Sequence, residues 1–453
     1  GFNFMPIIRS ISGLRATTND GSLTGELILA YCQAFAEICN FGKIVIGRDG
    51  RIGGEEVENL VIEALLQAGA EVVRLGIVPT PTVQLIAELP EYAGGIAITA
   101  SHNPQNWNGL KFINSDGVFL DAEGNHKLWQ IVDNKEFKKN SSIGKLINFE
   151  QAIDYHINKI LRIPLISNKI ENIRNRKFKI AVDAVNASGS IALPKLLHNL
   201  GCEVFELYCD GSGIFPHEAE PLPKNLIELA NYVKLNNCDL GVAVDPDADR
   251  LVLVDEKGIC INEELTIALA IDSVLWNLNA ERAKVVVNLS TSNVSKLVCD
   301  RYGASLERAA VGEINVVKKM KEVKAIIGGE GSGGVILPEC HYGRDSLVGI
   351  ALILTLLIDL NKSISDIVAN YPKLFMKKEK QSFMGNFSLL MNKIKSQFPN
   401  AKIDENDGIR LDFTDLSWVQ VRKSNTEPII RIIAESSNEF KTDELIHQIM
   451  QML

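Results

Sequence analysis

The sequence predicts an α/β protein: three similar mixed-sheet α/β domains and a smaller C-terminal α+β domain around a central cleft. Three observations carry this expectation. A strand–helix–glycine–strand pattern occurs three times, and each copy runs on into a strand, a polar loop and a further strand. From about Tyr371 the pattern stops, lysine becomes more frequent and no fourth copy follows. A glycine closing the helix of a βαβ unit is the expected stop signal. Strand-end loops in such folds are where ligands bind, so three equivalent loops imply a shared cleft. The expected domains are 1–148, 149–256, 257–370 and 371–453.

The elements follow in order. Ile7 to Arg15 reads as a strand running into a turn that ends in Arg15, and apolar spacing predicts a helix from about Thr24 to Asn40. The first copy begins at Lys43-Ile44-Val45-Ile46, passes through a helix ending at Gln67 and Gly69, and reaches a strand at Glu71-Val72-Val73. The second begins at Lys179-Ile180-Ala181-Val182, with Gly201 before Glu203-Val204-Phe205. The third begins at Lys284-Val285-Val286-Val287, with Gly303 after its helix. The three continuations are Gly95–Ile98, loop, Leu110–Ile113; Leu240–Val244, loop, Leu251–Val254; and Ala325-Ile326-Ile327, the loop Gly328–Gly334, Val335–Leu337. The last segment shows a helix near Phe387–Phe398 and antiparallel strands at Gly408–Phe413 and Trp418–Arg422.

Bulk properties narrow the function. A chain of 453 residues suggests about three to four domains. With 46% hydrophobic residues and a net charge of −9, it has a core to bury and no overall basic footprint for nucleic acid. Acidity does not exclude an anionic small molecule, which local arginines can bind. The eight cysteines form no C-x-x-C pair, so they read as thiols in a reducing compartment. The apolar run from Val348 to Ile358 is too short to span a bilayer and reads as a core helix. The expectation is a cytoplasmic protein, monomer or homodimer, that takes a small molecule rather than nucleic acid or membrane.

The loops carry chemistry. Thr99-Ala100-Ser101-His102-Asn103-Pro104 ends a buried strand, because proline lacks the ladder donor. A serine hydroxyl there can carry a phosphoryl group if a base or cation adjoins it; taken alone, the stretch is a turn that bonds its own backbone. Asp245, Asp247 and Asp249 place three carboxylates at alternate positions, which suits Mg2+ or Ca2+. Glu256 sits where an EF-hand would need it, but Arg250 stands in place of that loop's glycine. Arg250 itself suits an oxyanion or a balancing pair. Glu330 and Ser332, within Gly328–Gly334, can bind hydroxyls. Arg422, Ser424, Asn425, Thr426 and Arg431 offer an anion site of arginine forks and short donors.

Together these four loops, in order and over nearly the whole chain, resemble those of the α-D-phosphohexomutase family of phosphoglucomutases, phosphomannomutases and phosphoglucosamine mutases. The resemblance implies a heart-shaped, four-domain enzyme with phosphoserine, metal, sugar and phosphate loops in turn. It implies that Ser101 carries a phosphoryl group beside Mg2+ held by Ser101, Asp245, Asp247 and Asp249. Arg422, Ser424, Asn425 and Thr426, with Arg431, would dock the phosphate of a phosphosugar, and Glu330 and Ser332 its ring hydroxyls. Phosphorylation of the free hydroxyl would give a hexose 1,6-bisphosphate, which turns over and returns its other phosphoryl group. Lys111 matches the general acid/base lysine, His102 the histidine beside the serine, and Arg15 the arginine of the N-terminal motif. Ser12-Gly13-Leu14-Arg15 is closer to the phosphoglucosamine mutase form of that motif. Gly334 stands where both mutase types place a histidine, and His341-Tyr342-Gly343-Arg344-Asp345 is a nearby run that could add sugar contacts, though chemistry alone assigns it no role. The expected reaction interconverts hexose 6-phosphate and 1-phosphate, with glucosamine favoured over mannose or glucose. A Mg2+-dependent sugar phosphatase using Asp247 or Asp249, or a non-catalytic sugar-phosphate binder, are the competing readings.

Overall fold

The computed structural model describes residues 7–18, 20–425 and 427–453. The three copies fold to one topology. In the first, Ile44–Arg48 lies between the parallel strands Val72–Ile77 and Gly94–Ile98, and Trp107–Asn114 pairs antiparallel with Gly94–Ile98. Lys179–Asp183, Glu203–Leu207, Leu240–Val244 and Leu251–Val254 repeat this order. So do Lys284–Asn288, Ser305–Ala309, Ile327–Glu330 and Gly334–Ile336. Each sheet is therefore mixed, and each polar loop is the hairpin between its third and fourth strands. The central strands read as unbroken Val/Ile runs because helices cover both their faces. Gly13–Thr17 and Ile8–Ser10 extend the first sheet beyond Trp107–Asn114, which brings Arg15 alongside the first hairpin.

The third hairpin departs from expectation. Its strand is Ile327–Glu330 rather than Ala325–Ile327, and the loop proper shrinks to residues 331–333. Gly328 and Gly329 belong to the strand and serve close packing. A Cβ on Gly328 would lie 2.5 Å from Met320 Sδ, and one on Gly329 would lie 2.2 Å from the Gly334 carbonyl oxygen. Glu330 is thus fixed at a strand end.

The first sheet has its own apolar layers, but the second and third share one continuous core. Ile180, Val182 and Leu240 pack in it with Val285, Val287 and Ile327, and the buried helix Ser346–Leu360 runs through it. The C-terminal sheet is antiparallel, five-stranded and backed by helices Phe387–Gln397 and Glu439–Met450 around a separate core. Among the described residues no helix is long and apolar enough to cross a membrane.

Candidate active site

The serine hairpin is braced from beneath. Thr99 Oγ1 donates to Asp49 Oδ2 at 2.7 Å and accepts the Ser101 N–H at 2.9 Å. Asp49 holds the fully buried Arg51, which donates to the carbonyl oxygens of Ser101 and Trp107 at 2.7 and 2.8 Å. These bonds hold Ser101 at a φ of 51°, a left-handed conformation that costs a residue with a Cβ about 1 kcal/mol. Arg15 reaches the Ser101 hydroxyl at 3.4 Å and Asn103 Oδ1 at 3.0 Å. His102 lies 3.4 Å from Arg250 through Nδ1. Although its side chain is exposed, partial desolvation, then the charges of Arg250 and Arg15, depress its pKa to about 3, which favours the neutral imidazole.

The three aspartates form a buried cluster in which one oxygen of each lies within 4.8 Å of the others. Each carboxylate spends one oxygen on the protein. Asp245 Oδ1 accepts the Arg250 N–H at 3.2 Å. Asp247 Oδ2 accepts from Thr80 at 2.8 Å and from the Lys111 ammonium at 3.0 Å. Asp249 Oδ2 accepts from Arg344. The other three oxygens, Asp245 Oδ2, Asp247 Oδ1 and Asp249 Oδ1, are buried with no hydrogen-bond partner.

Burial and the neighbouring carboxylates push Asp245 well above the ordinary carboxylate range and Asp247 upward. For Asp249 the burial penalty is outweighed by Arg344 and Lys111, which hold its pKa low. Two full charges no more than 4.8 Å apart repel by at least about 3 kcal/mol at an effective dielectric of about 20. Three orphaned hard oxygens under that repulsion have the chemistry and spacing that suit a divalent cation such as Mg2+.

The hairpin of residues 331–333 is tied to the hairpin that carries the three aspartates. Arg250 donates through Nε to the Ser332 carbonyl oxygen at 2.7 Å, and the Leu251 N–H donates to Gly333 at 2.9 Å. Glu330 is heavily engaged: Oε2 accepts from Asn288 at 2.6 Å and from the Gly312 N–H at 3.1 Å, and Oε1 accepts from Arg344 at 3.0 Å. Arg344, which sequence reasoning left without a role, therefore joins Asp249 to Glu330 and also lies 3.4 Å from Glu313. Burial opposes its charge, but the three carboxylates raise its pKa well above the usual value. Its side chain passes over Gly334, where a Cβ would stand 2.3 Å from Arg344 Cδ.

Asp345, the next residue, caps the Ser346–Leu360 helix through Oδ1. Its Oδ2 accepts from His156 at 2.6 Å and from His341 at 2.8 Å. His156 in turn meets Thr82 at 2.8 Å. This second buried group of metal-capable side chains differs from the aspartates, because both oxygens of its carboxylate are already taken by donors.

The residues expected to bind phosphate sit on the hairpin of the C-terminal sheet. Arg422 and Arg431 are direct cross-strand partners, and Arg431 is exposed. Two like charges directly opposite are unfavourable without an anion. Arg422 is met by Asp407, 3.2 Å from both Nε and a terminal nitrogen. Ser424 accepts the Glu427 N–H at 3.3 Å, and Asn425 is exposed. Thr426 lies outside the described residues. Among the described residues neither Arg422 nor Arg431 bonds the serine or metal hairpin directly. The link is indirect: Asp407 accepts the Val311 N–H at 2.9 Å, and the adjacent Gly312 N–H holds Glu330.

Comparison with known proteins matches all four segments to family models. Residues 7–139, 154–258 and 262–375 match the phosphoglucomutase/phosphomannomutase alpha/beta/alpha domains I, II and III, and residues 389–452 match the C-terminal domain. A phosphoglucomutase/phosphomannomutase of Thermococcus kodakarensis is 34% identical, over 97% of each chain. A probable phosphoglucosamine mutase of Methanopyrus kandleri is 32% identical, over 96% of this chain and 95% of that one. The structure of a phosphoglucomutase/phosphomannomutase family protein from Burkholderia thailandensis superposes with a TM-score of 0.85 at 24% identity, covering 98% of both chains. An Aspergillus fumigatus N-acetylphosphoglucosamine mutase, solved with GlcNAc-6P and magnesium, superposes with a TM-score of 0.61 at 13% identity, covering 99% of this chain and 95% of that one.

Proposed function

The chain belongs to the phosphoglucomutase/phosphomannomutase family of phosphosugar mutases, and from that membership we propose that it interconverts glucosamine 6-phosphate and 1-phosphate through a phosphoserine at Ser101. The observation that carries the mechanism is the trio of orphaned oxygens on Asp245, Asp247 and Asp249, joined through Lys111 to the strand that follows the Ser101 loop. The substrate phosphate docks between Arg422 and Arg431, with Ser424, Asn425 and Thr426 adding donors. Remaining lone pairs of Glu330, with Ser332, orient the ring hydroxyls. The free sugar hydroxyl attacks the phosphorus on Ser101, the bond from phosphorus to Ser101 Oγ breaks, and a hexose 1,6-bisphosphate forms. Lys111, once its Nζ has given up a proton and is the neutral amine, takes up the hydroxyl proton, and a proton is returned to the departing Ser101 Oγ. After the bisphosphate turns over, the same step runs in reverse at its other phosphate. Arg15, beside Ser101 Oγ, balances charge there. A bound Mg2+ supplies charge neutralisation at the transferring phosphoryl group.

Glucosamine is favoured by the Ser12–Arg15 motif and by relatives named as probable phosphoglucosamine mutases. The relative at 34% identity, named for glucose and mannose, supports those sugars as the second reading. The test pairs peptide mapping for phosphate on Ser101 with assays of the three hexose 6-phosphates, primed with a hexose 1,6-bisphosphate. Ser101→Ala should abolish the phosphopeptide and lower activity by about a thousandfold or more. Phosphate release without isomerisation would instead favour the phosphatase reading.

A further inference from the structure

Resting on the assignment of Asp245, Asp247 and Asp249 to a cation, the geometry points to Arg344 as the positioning residue that sets which divalent cation the cluster prefers. The three carboxylates are restrained by different means. Asp245 meets a backbone N–H, Asp247 meets Thr80 and Lys111, and among the described residues Arg344 is the one cation in hydrogen-bonding contact with Asp249. Arg344 therefore decides whether Asp249 offers one oxygen or two. With Oδ2 in a charged pair, only Oδ1 is free. Mg2+ is small and wants six oxygens in a strict octahedron, whereas Ca2+ accepts six to eight and readily takes a carboxylate by both oxygens. A cluster in which every aspartate is held to a single free oxygen suits the smaller ion. Releasing Asp249 Oδ2 adds a donor and shifts preference towards the larger one.

Arg344 cannot easily relax away. Its backbone N–H donates to Glu313 at 2.8 Å, its NH1 is held by Glu330, and Asp345 beside it is fixed by His156 and His341. Its path also depends on Gly334. The three atoms nearest to a Cβ placed there all belong to Arg344, at 2.3, 2.9 and 3.3 Å. Gly334 does not have a left-handed φ, so alanine is permitted by its backbone. The bare position in the sugar hairpin is thus explained by the arginine that crosses it. Gly334→Ala displaces the guanidinium while leaving its charge in place, and Arg344→Gln removes the charge.

The experiment is calorimetric titration of metal-stripped protein with Mg2+ and with Ca2+, for wild type, Arg344→Gln and Gly334→Ala. Both variants should raise the ratio of Ca2+ to Mg2+ affinity by about tenfold, the size of effect usual for residues that orient metal ligands. An unchanged ratio in folded Gly334→Ala, with or without a folded Arg344→Gln, overturns the inference. A wild type that binds neither ion overturns the cation assignment beneath it.

Discussion

His102 adjoins the candidate nucleophile, but its environment removes it as a base. Its side chain is exposed, yet partial desolvation and the facing charges of Arg250 and Arg15 lower its pKa to about 3. We therefore expect His102→Gln to keep the shape of the pH–rate profile, with no limb near the ordinary histidine pKa gained or lost. An ionisation near pH 6 to 7 that disappears in the variant would show that His102 titrates during turnover. Ser101 and the three aspartates could be found in the sequence because each group lies within a few residues and repels or reacts by its own composition. Arg344 stood in a conspicuous polar run, but its role could not be read there, since its contact with Asp249 spans 95 residues. Asp407 was hidden for the same reason: an isolated aspartate in a polar turn has no pattern that reveals Arg422 as its partner, 15 residues on.

The helix Thr80–Ala87 is a single short element, wholly buried, that reaches into two other domains. Thr80 donates to Asp247 of the metal hairpin, Thr82 meets His156, and Gln84 donates to Glu313 at 3.0 Å. Its start at Pro79-Thr80-Pro81 has the look of a loop, yet proline is well suited to a first helical turn, where no internal donor is needed. Thr82→Val keeps the shape but leaves His156 Nδ1 unmet in a site that excludes water. It should cost about 1 to 3 kcal/mol in urea unfolding. A wild-type midpoint and slope would show that this helix does not brace the junction. The glycines at 328 and 329 misled in the opposite sense: a strand whose side chains have been removed to admit Met320 and Ile267 reads as a flexible loop.

At the scale of the whole molecule, the threefold repeat and the distinct last domain were legible because β-branched runs, helix-ending glycines and polar hairpins recur in the same order. The merging of the second and third cores was not, because it depends on which apolar faces meet rather than on how many there are. The last domain is attached differently, largely through polar groups. Arg410, fully buried, donates to the carbonyl oxygens of Leu289 and Thr291, and Glu435 accepts from Ser292 and from the Asn293 N–H. A cavity of about 520 Å3, lined in part by Lys296, Arg308, Asp404 and Arg410, remains between the third and fourth domains.

Glu264 lies near this junction, accepting the Ser292 N–H. Burial, opposed by Lys378 and reinforced by Glu435, raises its pKa from 4.5 to about 8. The folded protein therefore holds a proton that the unfolded chain releases above 4.5. The resulting stabilisation is full below that value and is lost as pH rises through about 8. Glu264→Gln should flatten the fall in melting temperature over that interval. A variant whose melting temperature declines with pH as steeply as the wild type would show that Glu264 does not control this transition.

The contacts of the Thr80–Ala87 helix also set a schedule for synthesis. Thr80 precedes its partner Asp247 by 167 residues, and Gln84 precedes Glu313 by 229. At about 5 to 20 residues per second, translation takes roughly 10 to 50 seconds to cover the longer gap. During that time the first domain, folded or not, presents polar side chains whose partners have not yet left the ribosome. Asp249 gains its partner Arg344 only after residue 344 has emerged. A polypeptide stalled before that point carries the serine and all three aspartates but not the clamp on the last of them.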